Sequence, residues 1–251
     1  MVVSMKQMTN QSKWYQSWFD TAYYHILYKH RDDREAQVFI KNLISRFKIK
    51  NNQKVLDLAC GKGRHSIYLN SLGFEVLGVD LSAQNIHIAN TFANPTLKFE
   101  EHDMRLPLKT KFDAVFNLFT SFGYFDAPSD DLKVINSIKQ SLSNNGLGLI
   151  DFMNVQYVIE HLVPEETIYC EGLIFNINRR FDGQSIVKNI EVIDNDQVYN
   201  YTEQVRAYRL KDFQNMLNTN RLQLLTTFGD YNLNPFDEIN SKRLILAFTN
   251  S

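Results

Sequence analysis

Residues 54–82 read KVLDLACGKGRHSIYLNSLGFEVLGVDLS. Val55, Leu56, Leu58 and Ala59 form a short apolar run that stops at a turn, the pattern of a strand buried on both faces of a parallel sheet. Gly61-Lys62-Gly63 follows at once. Glycine has no Cβ, so the backbone there can turn tightly and approach a ligand closely. The spacing predicts a helix over Arg64–Leu72, its N-terminal amides facing the turn, and Gly73 ends it. Phe74–Val79 is a second strand with Asp80 at its C-terminal tip. In a doubly wound sheet an acid at that tip accepts hydrogen bonds from ribose hydroxyls, so the stretch reads as one half of a nucleoside-cofactor site.

The alternation continues on the C-terminal side. Ser82 can cap a helix over 83–92, Pro95 breaks it, and Leu97–Glu101 is a third strand. Phe112–Leu118 is a fourth strand, and Ser129, with Asp130 and Asp131 behind it, starts a helix that ends near Leu142. Asn144-Asn145-Gly146 turns into a fifth strand, Leu147–Phe152. Strands alternating with helices predict a parallel sheet covered on both faces. The pattern then changes. Leu173–Phe181, the turn Asp182-Gly183 and Gln184–Ile193 read as a hairpin, and Gln197–Tyr208 as a third antiparallel strand. Leu210–Leu217 returns to helix, and Leu222–Phe228 and Arg243–Thr249 are the last strands. Ahead of the first strand, residues 1–12 are polar and read as frayed. Trp14–Arg34 is dense in aromatics, and Ala36, Phe39, Ile40, Leu43 and Phe47 line one face of a helix over 33–47.

Composition narrows the classes. The 251 residues suit one α/β domain with embellishments, and 44% hydrophobic content is ample for its core. The 27 basic and 28 acidic residues leave a net charge of −1, which gives no broad electrostatic footprint for nucleic acid or a membrane surface. The two cysteines, Cys60 and Cys170, lie far apart, so no disulfide framework is indicated and the reducing cytoplasm is the expected location. No apolar run reaches ~18 residues, and the N-terminus lacks the apolar core of a signal peptide. No His/Cys/Asp cluster has metal-ligand spacing, so no metal site is expected.

Two departures decide the cofactor. The dinucleotide fingerprint G-x-G-x-x-G needs glycine at position 66, where Ser66 stands, and Asp57 opens the pattern D-x-x-x-G-x-G that runs to Gly63. That pattern, with a second strand ending in Asp80, resembles the first two motifs of class I S-adenosylmethionine (SAM) dependent methyltransferases. SAM has no phosphate, so a carboxylate near the turn is tolerable and can orient its ammonium group, whereas a pyrophosphate suits an uncharged helix N-terminus. The resemblance covers residues ~50–152 by motif and 210–251 by topology only. It implies a doubly wound, Rossmann-like seven-stranded α/β sheet whose final strand inserts antiparallel, with an N-terminal helical lid and a small antiparallel β insertion. The expected division is 1–49 for the lid region, 50–166 for the SAM-binding core, 167–209 for the insertion or cap, and 210–251 for the rest of the sheet.

The same resemblance implies cofactor contacts residue by residue. Asp57, Ala59, Gly61 and Gly63 belong to the first turn, Asp80 and Leu81 to the ribose, and Asp103 and Met104 to the adenine. Asn117 and Leu118 end the fourth strand, where the methionine moiety and methyl group face. Amino-methylating DNA enzymes of this fold carry D/N-P-P-Y there, whereas this chain has Asn117-Leu118-Phe119-Thr120. Tyr28, in the aromatic segment with Tyr23, His25 and Arg31, is the cofactor-touching tyrosine of such a lid; the other reading of this segment is an amphipathic helix packed on the sheet.

The implied activity is methyl transfer from SAM to a nitrogen or oxygen of a small molecule, with S-adenosylhomocysteine as product. His25, Tyr124 and Glu203 are the candidates for removing an acceptor proton. Each has a structural alternative: an ordinary histidine, a core aromatic, and a solvated strand face. The expected partner is a small-molecule methyl acceptor, with no nucleic acid and no membrane, and the chain is expected to be a monomer or homodimer. Other readings stay open: a catalytically silent SAM-binding sensor or assembly protein, a NAD-dependent oxidoreductase, or an RNA or protein methyltransferase.

Overall fold

A computed structural model describes residues 14–29 and 33–250; the polar segment 1–12 and Arg31 lie outside the described residues. Three helices lead: α1 (Trp14–Trp18), α2 (Ala22–Leu27) and α3 (Asp33–Phe47). The core follows as β1 (Lys54–Leu58), α4 (Arg64–Ser71), β2 (Glu75–Asp80), α5 (Ala83–Ala89), β3 (Leu97–Glu101), β4 (Phe112–Asn117), α6 (Pro128–Ser141) and β5 (Leu142–Met153). After α7 (Val155–Glu160) come four antiparallel strands: β6 (Glu165–Cys170), β7 (Leu173–Phe181), β8 (Ser185–Asp194) and β9 (Gln197–Arg206). The chain closes with α8 (Leu210–Thr219), β10 (Leu222–Phe228) and β11 (Arg243–Asn250).

The main sheet has seven strands in the order β10-β11-β5-β4-β1-β2-β3. β11 pairs antiparallel with both β5 and β10, while the other pairs are parallel. The expected doubly wound sheet with an inverted last strand is therefore present. Strand order reverses beside β1, so the tips of β1 and β4 flank the crevice where ligands bind in open α/β sheets. One apolar layer packs Phe39, Ile40 and Leu43 of α3 and Leu69 of α4 on one face; the other packs Ile135 and Ile138 of α6 and Phe213 of α8 on the opposite face. Local chemistry sets the helix starts. Ser82 Oγ accepts from the Asn85 amide at 3.0 Å, and Pro128 opens α6 with Asp130 and Asp131 in its first turn.

Three details differ from the sequence reading. The insertion has four strands, not three. β6 is an edge strand whose Glu165 and Glu166 mask its apolar signal, as charged residues do on exposed edges. β5 begins at Leu142, because Asn144-Asn145-Gly146 forms an irregularity inside the strand: the pairing jumps from Phe112–Leu142 to Ala114–Leu147. α5 ends at Ala89 and continues as a 3₁₀ turn over Asn90–Phe92.

A third apolar cluster joins the two additions to the core. Trp18 and Leu27, from the leading helices, pack against Phe175, Ile177, Ile190 and Val192 of the insertion. The N-terminal segment and the small sheet thus form one roof over the crevice.

Candidate active site

The crevice is one cavity with two parts. A narrow slot lies among Ala59, Asp80, Leu81, Met104 and Phe125. A chamber of about 650 Å³ adjoins it, and Phe19, Ala59, Asp80 and Tyr124 line both.

Asp80 sits where they meet. Its Oδ2 accepts from the Gly61 amide at 2.8 Å and its Oδ1 from the Ser82 amide at 2.9 Å. Each oxygen keeps a lone pair for a further donor. Burial pushes this carboxyl up, against the pull of the Ser82 and Gly61 amides. Gly61 has φ +57°, and a Cβ there would meet nothing within 4 Å, so the turn leaves open space above it. A carboxylate with two spare acceptor sites, an apolar slot on one side and open room at the glycine turn on the other fit the diol, base and amino-acid end of SAM. In the slot, Asp103 stands beside Met104, and the Arg105 Nε reaches both Asp103 oxygens at 3.0 Å. Burial pushes the Asp103 carboxyl up, but the Arg105 bonds outweigh it and hold it below the usual carboxylate range.

Several expected cofactor residues stand behind the cavity instead. Asp57 is buried and accepts from Ser66 Oγ at 2.6 Å, which ties α4 to β1; burial raises its pKa to about 6. The serine that spoils the dinucleotide fingerprint is thus the partner of the motif's acid. Gly63 caps α4 with φ +84°, directly over Phe99. Asn117 does not reach the cavity. It is fully buried, and its amide donates to Leu58 O at 3.0 Å and Ser121 O at 3.2 Å, so it braces the tips of β1 and β4. Leu118, next along, does line the chamber.

The candidates for proton removal all face the chamber. His25 is half-buried, and desolvation, then the charge of Lys62, lowers its pKa. Tyr124 hydrogen-bonds its hydroxyl to Thr120 O, with its ring 5.2 Å from that of Trp14. Glu203 is an anchor: it accepts from Trp18 Nε1 at 2.7 Å and Tyr28 Oη at 2.7 Å, with Lys188 Nζ at 3.7 Å. Tyr28 lines the chamber but spends its hydroxyl in this cluster.

The floor contains residues that sequence reasoning passed over. Phe119 and Thr120 adopt left-handed φ of +58° and +61°. Asp151 holds them there: its Oδ2 accepts from the Phe119 amide, and its carbonyl from the Thr120 amide, both at 2.9 Å. Arg243 Nε donates to Asp151 Oδ1 at 2.8 Å and its Nη2 to Thr120 Oγ1 at 2.8 Å. The Phe119 ring lies between His65, stacked at 4.8 Å, and Tyr231 at 5.3 Å. His65 is buried, its Nε2 has no hydrogen-bond partner among the described residues, and desolvation drives its pKa down to about 3. A charged residue inside the apolar run of β5 was the available signal for Asp151. Among the described residues no cluster of three or more His, Cys, Asp or Glu side chains could hold a metal ion.

Comparison with known proteins agrees with this architecture. Residues 55–146 match the model of a methyltransferase domain. The glycine/sarcosine N-methyltransferase of Aphanothece halophytica is 27% identical over 219 residues, covering 80% of this chain and 76% of that protein. A SAM-dependent methyltransferase from Clostridium acetobutylicum ATCC 824 superposes with a TM-score of 0.77 at 19% identity, over 90% of this chain and 95% of its own. The sugar N-methyltransferase KedS8 from Streptoalloteichus sp ATCC 53650 superposes with a TM-score of 0.72 at 16% identity, over 99% and 98% of the two chains. The glycine turn, the acid ending β2, the inverted last strand and the matched domain agree: residues 55–146 carry a methyltransferase domain, and the chain has the fold of the class I SAM-dependent methyltransferases.

Proposed function

We propose that the protein methylates a nitrogen or oxygen of a small molecule held in the roofed chamber. The observation that carries this reading is the chamber itself. At about 650 Å³ it has the size of a small-molecule site, and the aromatic N-terminal segment and the β insertion close it from above. The glycine/sarcosine and sugar N-methyltransferases to which the chain is similar act on acceptors of that size class. A net charge of −1 gives little attraction to a polyanionic substrate.

When bound, SAM supplies a methyl group activated by its sulfonium. The protein's part is then to hold donor and acceptor in line and to keep water out. Asp80 and the Leu81–Met104 slot hold the nucleoside end. Tyr124, Phe19 and Trp14 line the chamber with aromatic rings, a chemistry that suits a cation. His25, held neutral near pH 7 by burial, takes the acceptor's proton at a ring nitrogen. Glu203 anchors the roof and the Tyr124 hydroxyl is tied to the floor, so their polar atoms are already engaged.

The test is release of S-adenosylhomocysteine from SAM across a panel of amino acids, amines, amino sugars and phenols. Turnover that depends on an added acceptor is the expected result. Tight S-adenosylhomocysteine binding without turnover of any acceptor would leave a silent SAM-binding protein.

A further inference from the structure

Arg243 carries a donor into the chamber that none of the described residues uses. Because β11 runs antiparallel to β5, its first residue lies opposite the last of β5, Arg243 beside Met153, and both line the chamber. A guanidinium offers five N–H donors in a planar fork. On Arg243, Nε and Nη2 are committed to Asp151 Oδ1, at 2.8 and 2.7 Å, and Nη2 also reaches Thr120 Oγ1. Nη1 has no acceptor among the described residues, and the side chain, 20% exposed, lines the chamber. Lys62 lines the same chamber and likewise has neither ion pair nor hydrogen bond among the described residues. The chamber's carboxylates do not answer these cations. Glu203 is taken by Trp18, Tyr28 and Lys188; Asp80 makes no bond to Arg243 or Lys62 and turns its spare lone pairs to the nucleoside side; Glu35 is exposed, acting on Arg243 only through its charge. A desolvated fork with one free prong is built for an oxyanion.

We propose that Arg243 Nη1 binds an oxyanion of the methyl acceptor, so that the substrate class is a small amine or alcohol bearing a carboxylate or equivalent anionic group. This rests on the small-molecule reading above and names its substrate class. The same guanidinium grips Thr120 and Asp151, so the anchored acceptor and the loop from Leu118 to Tyr124 share one rigid support. The carboxylate of SAM is the other source of the same chemistry, and the experiment separates the two.

Arg243→Lys keeps a positive charge opposite Asp151 while removing the free prong; Arg243→Met serves as the harsher variant. S-adenosylhomocysteine affinity is measured first, by calorimetry on the full chain, and is expected to be unchanged in Arg243→Lys. Turnover is then compared for matched acceptors with and without a carboxylate: sarcosine against dimethylamine, β-alanine against ethylamine, aminobenzoate against aniline. The wild type is expected to favour a carboxylate member by roughly tenfold or more in kcat/KM, and Arg243→Lys to erase that preference chiefly through KM. Equal use of both members by the wild type overturns the proposal while leaving the small-molecule reading intact. A preference that survives in Arg243→Lys and Arg243→Met also overturns it. Weakened S-adenosylhomocysteine binding with acceptor preference intact assigns the anion to the donor and overturns it too. Turnover of no member at all removes both readings together.

Discussion

The indole Nε1 of Trp18 donates to Glu203 Oε1 at 2.7 Å, joining the N-terminal segment to the last strand of the insertion. Tyr28 and Lys188 complete the cluster on the same carboxylate. One side chain therefore holds two parts of the roof together. Glu203→Ala strands three donors that are largely buried, and should loosen the roof by on the order of 2 kcal/mol. Trp18, now fully buried, should become accessible, which a red shift of its emission and stronger quenching by acrylamide would report. Glu203→Gln keeps an acceptor oxygen and should retain most turnover. Abolished turnover in a folded, unshifted Glu203→Gln would instead make Glu203 the proton acceptor.

Asp80 carries the second prediction. Its carboxylate accepts from the Gly61 and Ser82 amides and faces both parts of the cavity. Asp80→Ala should weaken S-adenosylhomocysteine binding by ~1–3 kcal/mol, through lost charge-assisted bonds and a slackened turn. Calorimetry on a variant with a native circular dichroism spectrum checks it. An unchanged Kd would remove Asp80 from the cofactor site.

Much of this was legible in the chain. Residues 54–82 disclose a strand, turn, helix and strand because buried parallel strands are short apolar runs and glycine punctuates them. A place on the cavity wall was legible where a motif ties a residue to a strand tip, as for Asp80 and Met104. It was not legible where the role depends on which way a side chain turns. Asn117 and Leu118 are neighbours on one strand end, yet one braces the backbone and the other meets the cavity. Nor could it reveal Arg243, which reaches the chamber only because β11 inserts antiparallel beside β5 and meets Asp151, 92 residues away in sequence. The edge strand β6 was hidden for a different reason: its charged residues protect it from pairing and disguise it as loop.

The two glycines of the turn should fail in different ways. At Gly63, φ is +84° and an added Cβ would sit 2.6 Å from Phe99 Cε1. Gly63→Ala should cost about 2–4 kcal/mol of stability from left-handed strain plus overpacking. At Gly61, φ is +57° and an added Cβ meets no protein atom within 4 Å. Gly61→Ala should cost only about 1 kcal/mol of stability but place a methyl group in the cavity. Denaturant melts with and without S-adenosylhomocysteine separate the effects. The assignment of the turn to the cofactor fails if Gly61→Ala binds as tightly as wild type.

His65 should dominate one part of the pH profile. Its folded pKa of about 3 lies below its ordinary value of 6.5, because burial beside Phe119 and then the charge of Arg64 disfavour the imidazolium. Between those limits the unfolded chain binds the extra proton, so this contribution is complete above pH 6.5 and is lost as pH falls. One proton corresponds to about 1.4 kcal/mol per pH unit. Asp57 and Asp131 act in the opposite sense: with folded pKa values of about 6 against 3.8, each favours the folded state on the acid side and loses that advantage as pH rises through this window. The wild-type slope is therefore a sum of opposing parts, and only a difference isolates the histidine. His65→Gln should remove its share, so that the stability gap between wild type and variant narrows steadily from pH 6 to pH 4 in urea melts. A gap that stays constant across that range would mean that His65 takes up its proton in the folded protein.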